Sequence, residues 1–169
     1  MMLSITEEEG VAMVKGEQAR LQALRQLALL DTPPEERFDR IVRLAIQFFG
    51  VEAALVTLVD EDRQWFKSRQ GIALTQTCRE ESFCAHTIQE EGIFEIEDAS
   101  QDSRFKDFVL VKVHRGIRFY AGIPMTTVEG FRIGTLCIID SVPRRLNEQQ
   151  RQVLKDLAAC AEDEINRPR

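Results

Sequence analysis

The segments IRFYAGIPMT (Ile117–Thr126) and FRIGTLCIID (Phe131–Asp140) flank a short turn centred on Glu129-Gly130, and their reading decides the fold. Both are rich in apolar, β-branched and aromatic residues, so together they predict a β-hairpin. An even loop sets Gly122 opposite Cys137 and Tyr120 opposite Ile139. One side of the ribbon then carries Arg118, Tyr120, Gly122, Thr135 and Cys137, and the other Phe119, Ala121, Ile123, Leu136 and Ile138. An odd loop exchanges the sides, because a slip of one residue inverts every side chain. The second segment is apolar on both parities, with Ile133, Cys137 and Ile139 on one side and Leu136 and Ile138 on the other. That pattern predicts a central strand covered on both faces.

Working outward, AALVTLVD and QWFKSRQG around Glu61-Asp62-Arg63 read as a first hairpin, and IFEIED as a short strand. A helix is expected from Glu17, with Leu21, Leu24, Leu27, Ala28 and Leu30 along one face. In DTPPEERF, Thr32 and Glu35 form a capping box pattern with Pro33 at the first helical position, opening a second helix. That helix turns Phe38, Ile41, Val42, Ala45, Phe48 and Phe49 inward and stops at Gly50. A short helix covers Phe83 to Glu90, and 100–116 is a loop with one or two helical turns. A last helix starts from Asn147, with Gln150 at its third position, and runs to about Ile165. The order predicts an α+β fold: a central antiparallel sheet of five or six strands, long terminal helices on one face, and the short elements of 79–116 on the other.

The chain has 169 residues, a net charge of −6 and 44% hydrophobic content, enough for a single core and for one domain. The expected division is a flexible leader over 1–16, one domain over 17–166 and a tail over 167–169. No basic block supplies a footprint for nucleic acid or an anionic membrane. The N-terminus MMLSITEEEG is acidic and lacks the features of a signal peptide, and no apolar run matches a membrane span. A cytoplasmic protein is expected, its four cysteines reduced and without CxxC spacing.

The segments ALLDTPPEERFD, LVDEDRQWFKS, CREESFCAHTI, EDASQDSRF, IRFYAGIPM and RIGTLCIIDSVPR, in that order, resemble the GAF domain family. The likeness is to the branch of sensory modules that accompany bacterial histidine kinases and diguanylate cyclases. Three positions depart from the family pattern: Cys78 stands for a proline, Phe108-Val109 for Asn-Pro, and Met125 for a leucine. The resemblance implies a stand-alone sensory or regulatory module that binds a small molecule on the sheet and signals through its terminal helices. The stripe Leu154, Leu157 or Ala158, Ala161 and Ile165 on the last helix suits both core packing and a homodimer through the terminal helices, and a signalling partner protein is expected, the ligand and any cofactor being unknown.

SFCAHTI (Ser82–Ile88) sets a thiol two residues from an imidazole. A zinc site needs about four ligands and would have to recruit Cys78 and Cys137. A Cys-His nucleophile fits a thiol near a helix N-terminus, and the resemblance adds the enzymes of this fold that reduce free methionine sulfoxide. Their glycine-flanked cysteine is absent, as is the signature around the bilin-binding cysteine of phytochromes. The reading retained is packing: Ser82 or Glu81 caps a helix and Cys84 fills an apolar gap. The expected ligand-binding residues are Phe83, Cys84, His86, Asp98, Asp102, Arg104, Phe105, Arg118, Tyr120, Thr135 and Cys137, with no catalytic or metal-ligating residue among them. Asp98, Asp102 and Arg104 fit a loop lock equally well. Two further functions compete with this one, a thiol-dependent reductase and a ligand-free interaction and dimerisation module.

Overall fold

The second hairpin forms in the even register, Gly122 pairing with Cys137 and Tyr120 with Ile139. The computed structural model describes residues 6–168, with side chains for all of these except 13–15. In chain order the elements are α1 (Glu7–Gln26), α2 (Glu36–Phe49), β1 (Ala53–Val59), β2 (Arg63–Gln70), β3 (Gln76–Cys78), α3 (Phe83–Thr87), β4 (Phe94–Ile96), α4 (Val109–Lys112), β5 (Phe119–Thr126), β6 (Arg132–Asp140) and α5 (Glu148–Asn166). The six strands form one antiparallel sheet in the order β3-β2-β1-β6-β5-β4.

Strand alternation divides the interior into two cores. Ala54, Val56 and Leu58 of β1, Phe119 and Ala121 of β5, and Leu136 and Ile138 of β6 pack on α1, α2 and α5. Their neighbours Ala53, Leu55, Val59, Tyr120, Cys137 and Ile139 face the opposite way, onto α3, α4 and the loops between them. The two cores are therefore separated by the thickness of one sheet, with alternate residues of β1, β5 and β6 in each.

Several expectations need correction. The first helix begins at Glu7, well upstream of Glu17, because Thr6 and Glu9 make a reciprocal capping box above an acidic first turn. Of the expected leader, residues 1–5 lie outside the described part, as does residue 169 of the expected tail. The expected capping box at Thr32 does not form. The Thr32 hydroxyl donates to the Leu29 carbonyl and accepts from Lys67 Nζ, while Glu35 pairs with Lys67 at 2.6 Å. Helix α2 accordingly starts one turn later than a box at Thr32 implies, with Glu35 as its N-cap.

Phe48 points to solvent, 46% exposed, since it lies at the margin of the stripe formed by Phe38, Ile41, Val42, Ala45 and Phe49. Ile133 joins the α1/α2/α5 core rather than the Cys137 side. The register slips between Met125 and Thr126, which leaves Ile133 as the extra residue of a β-bulge. Gly134 permits that bulge, because a Cβ there would lie 1.9 Å from the Thr57 carbonyl oxygen. The short edge strand β3, too polar to read as a strand, pairs with β2 at Arg63, Gln64 and Trp65.

Candidate functional site

Residues Thr57, Thr135, Cys137 and Tyr120 project from β1, β6 and β5 onto the face covered by α3. Thr57 and Thr135 are directly paired across the strands, and their hydroxyls are 2.9 Å apart. Thr135 Oγ1 donates to Cys84 Sγ at 3.1 Å. Cys84 Sγ lies 3.2 Å from the Tyr120 hydroxyl and 4.0 Å from Cys137 Sγ. The Tyr120 hydroxyl bonds Thr87 Oγ1 at 2.7 Å, and Thr87 in turn donates to the Phe83 carbonyl. The result is a continuous chain of hydroxyls and thiols inside an apolar layer, its members all buried. Such groups bond one another because an unpaired polar atom there would cost about 1–3 kcal/mol.

Local sequence explains how α3 delivers its side chains. The Ser82 hydroxyl caps the helix by accepting from the Ala85 N–H and donates to Gln64 Oε1 of β2, which ties the helix start to the sheet. Phe83, Cys84 and Thr87 then share the buried face. Phe83 stacks on Tyr120 with ring centroids 5.1 Å apart, and Phe105 packs on Phe83 at 4.9 Å. Gly122 is the seat of the tyrosine ring: a Cβ built there would lie 2.3 Å from the Tyr120 hydroxyl. The close approach that this glycine admits is thus made by the chain's own aromatic side chain.

The space left is small. A cavity of about 20 Å³ touches Cys84, Tyr120 and Cys137, room for about one water molecule. A surface cleft of about 180 Å³ beside it, walled by Gly71, Val113 and Gly116 among others, shares Ile72, Leu110, Ile117 and Ile139 with the cavity.

Of the expected site residues, Phe83, Cys84, Phe105, Tyr120, Thr135 and Cys137 come together in this cluster. The others do not join it. His86 leaves the opposite side of α3, packs edge-on against Phe105 at 4.9 Å and lines an open groove with Cys78 and Glu80. Burial, and next the charge of Arg104, hold its pKa below the ordinary value, which favours the neutral imidazole. Asp98 accepts from the Ser100 N–H and hydroxyl. Asp102 clasps Arg104 through that residue's backbone N–H and guanidinium, and Arg104 lies over the rings of Phe94 and Phe105. These three residues lock the loop, and Arg118 does the same by donating to the Val111 and Ile117 carbonyls. Thr57 and Thr87 also belong to the cluster, although the sequence reading does not include them. Thr57 carried a readable signal, as the one hydroxyl in the apolar run AALVTLV, whereas Thr87 had none.

The two buried thiols differ. Burial opposes ionisation of Cys84, but hydrogen bonding with Cys137, Thr135, Thr57 and Tyr120 outweighs it and brings its pKa down to about 7. Burial and the adjacent Cys84 push Cys137 well up, and burial with both neighbouring sulfurs does the same to Tyr120. Among the described residues no group of three or more His, Cys, Asp or Glu side chains is placed to hold a metal ion.

The family model described as the GAF domain matches residues 33–165. A cyclic di-GMP phosphodiesterase of Pseudomonas aeruginosa is 42% identical over 128 residues, which is 76% of this chain and 22% of that protein, so the chain spans about a fifth of its relative's length. Among solved structures, the GAF domain of an Acinetobacter phosphoenolpyruvate-protein phosphotransferase superposes with a TM-score of 0.61 at 19% identity, covering 87% of this chain and 92% of that one. The free methionine-R-sulfoxide reductase of Neisseria meningitidis, solved with its substrate, gives 0.60 at 17% identity, covering 98% and 94%. At these identities the structural likeness extends to the fold.

Proposed function

We propose that this chain, which belongs to the GAF domain family, is a sensory or regulatory module that takes a small molecule on the β1-β6-β5 face beneath α3 and reports through α1, α2 and α5. The observation that carries this reading is the hydrogen-bonded chain from Thr57 to Thr87, a set of convergent polar groups sealed under a cover of short helices and side-chain-locked loops. A ligand pocket commonly occupies about 300–1,000 Å³, against the cavity of about 20 Å³ beside Cys84. A metabolite-sized ligand therefore selects a conformation in which Phe83 and Tyr120 swing away from Gly122 and the 79–116 cover lifts. It shifts the population only by its differential affinity for that state. Relay to the terminal helices follows from shared strands: Tyr120 sits between Phe119 and Ala121, which pack on the helical layer.

The output is a second copy of the chain or a signalling protein, docked on the terminal helices. The identity to part of a cyclic di-GMP phosphodiesterase supports a regulatory place beside an enzyme of that chemistry. None of the helices described is long and apolar enough to cross a membrane, and the acidic surface suits a cytoplasmic setting.

The filled interior favours a second reading, a ligand-free interaction module in which the face beneath α3 is simply core. Thermal-shift measurements against nucleotides, cyclic dinucleotides and small metabolites separate the two. A concentration-dependent rise in Tm that is lost in Tyr120→Trp supports sensing. Indifference to the whole panel, with unchanged self-association, supports the interaction module. The reductase reading is tested with free methionine sulfoxide and a thioredoxin system, where an absence of turnover ends it.

A further inference from the structure

Cys84 and Cys137 are the only two described cysteines that are buried, Cys78 and Cys160 being exposed. They come from α3 and β6, 53 residues apart in the chain, and their sulfurs lie 4.0 Å from each other. Both line the cavity of about 20 Å³, which adjoins the surface cleft through Ile72, Leu110, Ile117 and Ile139. That cavity has room for about one water molecule. It is too small for glutathione, for a thioredoxin active site or for an amino acid, and hydrogen peroxide, with two oxygen atoms, is an oxidant close to its size.

We propose that Cys84 and Cys137 form a peroxide-reactive thiol pair, with hydrogen peroxide as the oxidant that reaches them from the cleft by a passage between the shared residues Ile72, Leu110, Ile117 and Ile139. In the first step the Cys84 sulfur attacks one peroxide oxygen and the O–O bond breaks. The departing hydroxide takes the Cys84 proton and leaves as water, and Cys84 becomes a sulfenic acid. In the second step the Cys137 sulfur attacks the Cys84 sulfur and the S–O bond breaks. Hydroxide leaves with the Cys137 proton as a second water, and a disulfide joins α3 to β6. The two thiols lose two electrons and peroxide gains them.

The surroundings assign the order of attack. Thr135 donates to Cys84 Sγ, so the sulfur that must carry developing negative charge is the one that already holds a hydroxyl donor. Disulfide formation brings the sulfurs to about 2.05 Å, which draws α3 toward β6 and removes Cys84 as a hydrogen-bond partner of Tyr120 and Thr135. The covering layer must then repack. This inference concerns the same cluster as the sensing proposal but does not depend on an organic ligand, and its test reads only the thiols.

The test uses the full chain carrying Cys78→Ser and Cys160→Ser, which removes the two exposed thiols. Titration of the reduced protein with hydrogen peroxide should lower the intact mass by about 2 Da, and a non-reducing peptide map should join the peptides containing Cys84 and Cys137. Adding Cys137→Ser should instead give a gain of about 16 Da on Cys84, and then about 32 Da. Tert-butyl hydroperoxide, too bulky for the passage, should react ~10-fold or more slowly than hydrogen peroxide with the folded protein, and at a similar rate after denaturation. The proposal is overturned if the folded chain keeps both thiols free under peroxide that oxidises the denatured chain, or if the two peroxides react alike. It is equally overturned if the link forms only between molecules. Because the mapping arm retains both native thiols, a folding failure of the Cys137→Ser chain leaves the decision intact.

Discussion

Gly122→Ala separates a face filled by Tyr120 from one held open for a ligand, since the two arrangements predict opposite signs. At a roomy strand position the added methyl restricts the unfolded chain and stabilises by about 0.4–1 kcal/mol. Here the new Cβ would stand 2.3 Å from the Tyr120 hydroxyl, 2.8 Å from its Cζ and 3.1 Å from its Cε1. The ring is 1% exposed and stacked against Phe83, so while the cover stays closed it can yield only by displacing its packed neighbours. Overpacking of this kind costs about 1–3 kcal/mol. Displacing the hydroxyl from Thr87 and Cys84 costs a further ~1 kcal/mol, so the net expectation is a loss of about 2–4 kcal/mol. For a domain of this size that lowers Tm by roughly 5–15 °C. The assay is urea and thermal denaturation of the wild type, Gly122→Ala, Tyr120→Leu and the double variant. Relief of the clash in the double variant should appear as a coupling energy of ~1 kcal/mol or more. A Gly122→Ala chain as stable as wild type, or more so, refutes the reasoning and puts the Tyr120 ring elsewhere.

Other outcomes follow from particular contacts. Tyr120→Phe removes a hydroxyl bonded to Thr87 and Cys84 and should cost about 1 kcal/mol, read as a lower urea midpoint with an unchanged m-value. Lys67, whose ammonium is fully buried and donates to Thr32 Oγ1, to the Pro33 carbonyl and to Glu35, should not tolerate Lys67→Ala, with a loss of about 2–4 kcal/mol in the same assay. Glu17 is opposed by burial, but hydrogen bonds from Arg20 and Arg79 lower its pKa to about 2. Its folded pKa lies below the unfolded value of 4.5, so its contribution is complete above pH 4.5 and fades as pH falls toward 2. With the carboxylate side chain 35% exposed, that contribution is ~1 kcal/mol or less, and Glu17→Gln should flatten the acid limb of a stability-against-pH profile by that amount.

Much of the architecture was legible because period-two alternation in IRFYAGIPMT and RIGTLCIID sets both register and face, and an even turn leaves one pairing. The Asn147 to Gln150 capping box was equally readable and forms as expected. What escaped depended on distant partners. Thr32 and Glu35 carry a helix-start pattern, yet the buried Lys67 of β2 claims both, and nothing near Thr32 in the chain announces that lysine. Ile133 changes sides because of a bulge, a backbone feature whose only trace in the sequence is Gly134. At the site, parity placed Tyr120, Thr135 and Cys137 on one face. It could not tell a glycine that admits a ligand from one that seats the adjacent tyrosine, since both need the same absent Cβ. Asp98, Asp102, Arg104 and Arg118 have the polarity of binding residues, but the two carboxylates bond backbone N–H groups two residues on, Arg104 turns back on Asp102 and Arg118 is taken by loop carbonyls.

Native mass spectrometry of freshly purified, never denatured protein tests the central claim most directly, because it reports anything held beneath α3 and the stoichiometry together. Sensing by opening of the Tyr120 face predicts a fraction of chains carrying one small molecule of defined mass, released on denaturation and absent from Tyr120→Trp. A spectrum of bare chains alone, unchanged after incubation with a cell extract of small metabolites, contradicts the account and leaves the face beneath α3 as core.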